Sequence, residues 1–157
     1  MKKNQIGLDA AKSKKLADNL NILLANFQLF YINTRGFHWN IKGEKFFELH
    51  LKFEELYTDT QIKIDEVAER ILTLGHTPSH SFTDYLAVSA IKEQKNIADG
   101  RKAVASVIAS FSVLLHLERE LLDLSDDAGD EGTNAQMSDY IRQQEKLVWM
   151  YSAYLNK

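Results

Sequence analysis

The amino-acid sequence predicts an all-α protein: a four-helix bundle with a short extra helix in the crossover between its second and third long helices. Three observations carry this expectation. Apolar residues recur at spacings of three and four through four long stretches, Pro occurs once in 157 residues, and no segment alternates apolar and polar residues as a strand does. A chain of this length fits one domain with a continuous apolar core, so residues 1–157 are expected to form a single unit, with 1–7 as a short flexible basic tail.

The first helix is expected from Leu8 to about Phe37, where Leu16, Leu20, Leu23, Phe27 and Phe30 share one stripe. Asn40 and Gly43 suit a break within His38–Gly43, and the pattern resumes near Glu44, which implies an antiparallel hairpin. The second helix, carrying Phe46, Phe53, Leu56, Ile64, Val67, Ile71 and Leu72, is expected to stop at Gly75 with Pro78 just beyond. Between Ser79 and Ser89, capping residues followed by Tyr85 and Leu86 predict one or two helical turns inside a long connection. The third long helix uses Ile97, Val104, Ile108, Phe111, Leu115 and Leu122, its stripe interrupted only by Arg101 and Glu118. The acidic, glycine-containing run from Ser125 to Gly132 ends it. Thr133 and Gln136 have the spacing of a capping box, and Met137, Tyr140, Ile141, Val148, Tyr151 and Leu155 continue as the fourth helix. The long second connection marks a crossover bundle of the ferritin-like type rather than a simple up-down-up-down one.

Composition narrows the chemistry. Hydrophobic residues at 45% and charged residues at 26% are those of a soluble globular protein. Without cysteine there are no disulfides and no thiolate ligands, so any bound metal must use imidazole and carboxylate, which points to iron or manganese with zinc a third candidate. The start MKKNQIGLDAAKSKK lacks an apolar leader core and no run of about 18 apolar residues appears, so a cytoplasmic protein without membrane partners is expected. A net charge of -3 disfavours a broadly basic nucleic-acid surface; only the N-terminal segment is locally basic.

The most informative feature is the layout of His38, His50, Glu54, Asp65 and Glu69. At about 100° per residue, positions 50, 54, 65 and 69 of one helix fall near about 0°, 40°, 60° and 100°, a single stripe of metal-ligand side chains. At about 1.5 Å per residue, however, Glu54 and Asp65 lie roughly 16 Å apart along the axis. One chain therefore cannot close both pairs on one ion. An identical copy across a two-fold axis can, by facing its 65/69 pair to the 50/54 pair, twice over. Neutral imidazoles accept Fe(II), and carboxylates bind and neutralise the Fe(III) formed on oxidation, so the set suits iron oxidation. The bundle-core di-iron site of many ferritin-like proteins uses Glu-x-x-His from two helices, and no Glu-x-x-His occurs here. The bland alternative is that Asp65 and Glu69, like charges one turn apart, are compensated by Arg70 or Lys63.

The run His38-Trp39-Asn40, Gly43, Phe46, Leu49-His50, Phe53-Glu54, Tyr57 and Asp65-Glu66-Val67-Ala68-Glu69-Arg70 resembles the signature of the Dps miniferritins, the DNA-binding proteins from starved cells. Leu74-Gly75, Pro78, Asp84-Tyr85-Leu86, Ser89, Ile91, Glu145-Lys146 and Trp149-Met150 extend the likeness over roughly residues 8 to 155. The resemblance implies a hollow homo-dodecamer built from two-fold dimers that oxidises Fe(II), with hydrogen peroxide preferred over oxygen, and stores ferric mineral, protecting against oxidative stress. It implies His38, His50 and Glu54 as ligands from one subunit and Asp65 and Glu69 from its mate, a ferroxidase centre with room for two irons that zinc or manganese can also occupy. Glu54 stands where many members have Asp, one methylene longer.

Other features keep two readings each. Trp39 is a packing residue or a one-electron donor; Glu55 faces a mineral cavity or solvent; Asp126, Asp127, Asp130 and Glu131 line a cation pore or form an ordinary acidic loop. DNA binding, with a nucleoid location, rests on Lys2, Lys3, Lys12, Lys14 and Lys15 alone. The rival to an iron-oxidising store is a non-catalytic helical or DNA-compacting assembly, and a zinc-binding regulatory bundle is a third reading.

Overall fold

The computed structural model describes residues 1–157. Its elements are α1 (Ala10–Asn40), α2 (Phe46–Thr73), α3 (Phe82–Val88), α4 (Gly100–Asp127) and α5 (Glu131–Tyr154), with no strand. The helix starts follow from capping chemistry. Asp9, Ser81, Asp99 and Asp130 each accept a hydrogen bond from the backbone N–H three residues on, satisfying a donor the helix leaves free. At the other end of α2, Gly75 takes φ +91°, a left-handed conformation natural to glycine, and the His76 amide closes onto the Ile71 carbonyl at 3.1 Å.

Three boundaries differ most from the sequence expectation, the first being α4, which opens at Gly100 and leaves Ile97 in the crossover, then runs on through Ser125 to Asp127. Helix α1 runs through His38, Trp39 and Asn40, and the break falls at Ile41–Lys45 with Gly43 at φ +112°. Asn40 tolerates the last turn because its side-chain amide donates back to the Gly36 carbonyl at 2.9 Å. Helix α5 begins at Glu131, and its cap is Asp130 rather than Thr133. The Thr133 N–H and hydroxyl both donate to Asp130, while Gln136 turns to the Tyr140 hydroxyl at 2.9 Å.

Helices α1 and α2 form the expected hairpin, α4 and α5 a second one, and α1 packs on α4. Twenty-nine residues make one apolar cluster, with Phe27, Phe53, Leu16, Leu20, Leu114 and Met137 among its fully buried members. Helix α4 is long and apolar enough by composition to cross a membrane, yet Val104, Val107, Phe111, Leu114 and Leu121 are spent in this core. The crossover is fastened by three asparagines of α1. Asn21 accepts from the Ser79 amide, Asn26 from the Ala90 and Ile91 amides and the Ser89 hydroxyl, and Asn33 from the Gln94 amide. Amide side chains, those of Asn26 and Asn33 buried, thus supply the backbone partners that a loop crossing a helical face otherwise lacks. The segment expected as a basic tail folds against this base: the Asn4 amide donates to Ser13 at 3.1 Å and accepts from the Leu8 amide at 2.9 Å.

Candidate metal centre

The hairpin brings His38, near the end of α1, against His50 in the second turn of α2. Their rings stack with centroids 3.8 Å apart and planes 11° from parallel. His38 Nδ1 lies 2.7 Å from the His50 carbonyl, and His50 Nδ1 lies 2.7 Å from the His38 carbonyl. A carbonyl only accepts, so each Nδ1 must carry the proton. In the neutral imidazole this leaves both Nε2 lone pairs bare, the state a metal ligand needs, with the ring orientation fixed by the other nitrogen. Phe46 stacks on His50 at 5.0 Å and Tyr57 meets His38 edge-on at 5.3 Å, completing a four-ring pile. His38 is buried at 8% exposure.

Glu54 follows His50 by one turn and is exposed, as are Asp65 and Glu69 further along the same face of α2. None of the three carboxylates has a hydrogen-bond or ion-pair partner within the chain. The basic residues offered as compensation are engaged elsewhere. Arg70 Nη2 donates to Asp130 Oδ1 at 2.7 Å and its Nε to Thr133 at 2.9 Å, while Lys63 donates to Asp59 at 2.6 Å and to Gln143 at 2.9 Å. The like charges of Asp65 and Glu69 therefore stand unrelieved in one protomer. Within a single chain no group of three or more His, Asp or Glu side chains converges on one point.

The same face of α2 exposes Phe47 at 79%, Leu51 at 53%, Ile62 at 56% and Leu72 at 58%, interleaved with the carboxylates. Nearby on α1, Trp39 is 59% exposed, with the Arg35 guanidinium 5.0 Å above its ring. Trp39 is thus no core residue of the protomer. Glu55 pairs with Lys52 at 3.1 Å on the rim of an open groove of about 610 Å³ between α2 and α5. The acidic loop is divided: Asp130 is buried in its pair with Arg70 and Asp127 meets Lys12 at 3.3 Å, whereas Asp126 and Glu131 stay exposed and unpaired.

Sequence reasoning missed the reciprocal histidine clasp and the asparagine ladder of α1. The clasp has no signature beyond the twelve-residue spacing; the ladder was visible only as amides on an otherwise apolar face.

Five helices in this order, with a long crossover after the second, make a ferritin-like protein whose candidate ligands lie on one hairpin instead of in the bundle core. The ferritin-like domain family matches residues 17–157. A DNA protection during starvation protein of Porphyromonas gingivalis is 42% identical, the match covering 96% of this chain and 95% of that one. The crystal structure of a Vibrio cholerae Dps protein, described as a member of a broad superfamily of ferritin-like diiron-carboxylate proteins, superposes with a TM-score of 0.97 at 60% identity over 99% of this chain and 98% of that one. A Bacillus brevis Dps superposes at 0.89 with 36% identity, covering 92% and 97%. The chain belongs to the Dps family of miniferritins.

Proposed function

We propose that this chain is an iron-oxidising and iron-storing miniferritin of one domain, whose ferroxidase centres form between subunits of a dodecamer. His38, His50 and Glu54 of one subunit face Asp65 and Glu69 of its two-fold mate, and Fe(II) is the substrate. The carrying observation is the division of ligands on the α1–α2 hairpin: two imidazoles with bare Nε2 atoms at one end, and the unpaired Asp65 and Glu69 too far along α2 to reach them. The exposed Phe47, Leu51, Ile62 and Leu72 on that face support burial against a second copy, since apolar side chains interleaved with ligands need an apolar partner.

Each Fe(II) gives up one electron, and hydrogen peroxide takes two as its O–O bond breaks, so a paired centre delivers both without releasing a hydroxyl radical. The imidazoles hold the ferrous ions and the carboxylates neutralise the added positive charge. Zinc or manganese would compete for the same atoms.

DNA binding is the weaker proposal. Lys14 pairs with Asp18 and Lys12 with Asp127, which leaves Lys2, Lys3 and Lys15 for phosphate. Gel retardation at low and moderate salt decides it, and an unshifted duplex at both retires it.

The composite site is tested by co-assembling His50→Ala subunits with Asp65→Ala subunits. A mixed dimer has one centre lacking both residues and one keeping all five, so partial recovery of peroxide-driven Fe(II) oxidation is expected. Mixed assemblies as inactive as either parent would show that the ligands are not shared between chains.

A further inference from the structure

Outside the candidate metal ligands, Glu118 is the buried acid that no ion pair neutralises. It interrupts the apolar stripe of α4 and is 0% exposed. Gln144 of α5, 2% exposed, donates its amide N–H to Glu118 Oε2 at 2.8 Å. Two acceptors of this pair, Glu118 Oε1 and Gln144 Oε1, are buried without any partner. With the other two atoms of the pair already joined at 2.8 Å, one proton on the carboxyl answers both orphans: Glu118 Oε1–H then donates to Gln144 Oε1 and they vanish together.

We propose that Glu118 is a neutral carboxylic acid, closed with the Gln144 amide into a ring of two hydrogen bonds, and that this ring is a proton-dependent latch between α4 and α5. The inference stands whether or not the iron chemistry does.

The groups around the latch leave it unneutralised. Lys63 faces it from α2 but is held by Asp59 and Gln143 and lies over the Tyr140 ring at 5.1 Å. Arg119, the next residue of α4, is drawn to Glu145 at 2.8 Å. Tyr140 of α5 stays protonated, its hydroxyl pushed up chiefly by burial. No titratable group of α1 acts on Glu118. Burial pushes the carboxyl up to about 8, against the lowering effects of the Gln144 bond and the charges of Lys63 and Arg119. Because the closed-state value is raised, the closed ring is favoured most below the ordinary carboxylate range and is weakened as pH rises through that range toward about 8.

Two measurements on the assembled protein test this. Infrared spectroscopy with isotope-labelled glutamate should show a protonated buried carboxyl at about pH 6 that disappears above about pH 9 and is missing in Glu118→Gln. Amide hydrogen exchange in α4 and α5, compared between wild type and Glu118→Gln at matched pH, should give an opening ratio that climbs by up to about tenfold per pH unit between about pH 5 and 8, then levels. The Gln variant can form the same ring without a titrating proton, so it cancels the intrinsic pH dependence of exchange. A labelled carboxyl already ionised at about pH 6, or an exchange ratio flat with pH, overturns the latch. The infrared result on wild type alone decides the protonation state if the variant fails to fold.

Discussion

Replacing Asp130 with Ala is expected to be among the most damaging single changes outside the apolar core. Its carboxylate is 2% exposed, accepts from Arg70 at 2.7 Å, and caps α5 through the Thr133 amide at 3.0 Å. Removing one member of a buried ion pair costs about 3–5 kcal/mol because the other charge is stranded, and losing an N-cap adds about 1 kcal/mol. Arg70 keeps 20% exposure and can recruit water, so the lower half of the ion-pair range is expected, which with the lost cap comes to about 4–5 kcal/mol in all. Arg70→Met should cost less, about 2 kcal/mol, because Asp130 retains the Thr133 amide and hydroxyl as donors. The double variant should recover part of the loss, giving a coupling of about 1–3 kcal/mol. Urea unfolding followed by circular dichroism at one fixed protein concentration measures all three, since assembly makes the midpoint concentration-dependent. Additive effects, or an Asp130→Ala cost under about 0.5 kcal/mol, would refute the reasoning. Arg70→Met should also retain Fe(II) oxidation, because Arg70 spends its hydrogen bonds on Asp130 and Thr133 rather than on Glu69.

Ile62→Glu places a charge on the exposed face of α2, so the isolated fold should survive while native mass measurement shows dissociation and oxidation is lost; an intact, active assembly would place the interface elsewhere. Phe53→Ala empties a fully buried site and should destabilise by about 3–5 kcal/mol in the same urea assay. Glu118→Gln should stabilise the protein at pH 7 by at most about 3 kcal/mol, the cost of holding an acid neutral above its ordinary range, with the gain fading toward about pH 5; a variant no more stable than wild type at pH 7 contradicts the ring.

Four long helices and the crossover helix were legible because apolar spacing reports burial directly: Leu16, Leu20, Leu23, Phe27 and Phe30 all lie in the core. Helix ends were less legible, since they depend on which of several capping groups wins. Thr133 with Gln136 has the spacing of a capping box, yet Asp130 wins because Arg70, sixty residues earlier, holds its carboxylate in place. Gly132 makes room for this contact, as a Cβ there would meet the Arg70 guanidinium at 2.7 Å. No local pattern announces such a pairing. The two interruptions of the α4 stripe proved different in kind: Arg101 is exposed and reaches the Leu155 carbonyl at 3.3 Å, whereas Glu118 is wholly enclosed. The spacing of the candidate ligands was readable in full; the tautomer that bares their nitrogens needed the folded hairpin.

The histidine clasp has a bearing on the life of a newly made subunit. Both imidazoles are set by bonds inside one hairpin, so the nitrogen half of the proposed centre is ready as soon as α1 and α2 dock, while the acidic half waits on an encounter with another chain. A solitary subunit would then greet ferrous iron with Glu54 alone, lacking two of the three carboxylates that stabilise the oxidised ion. Efficient oxidation would then begin only once two chains have met.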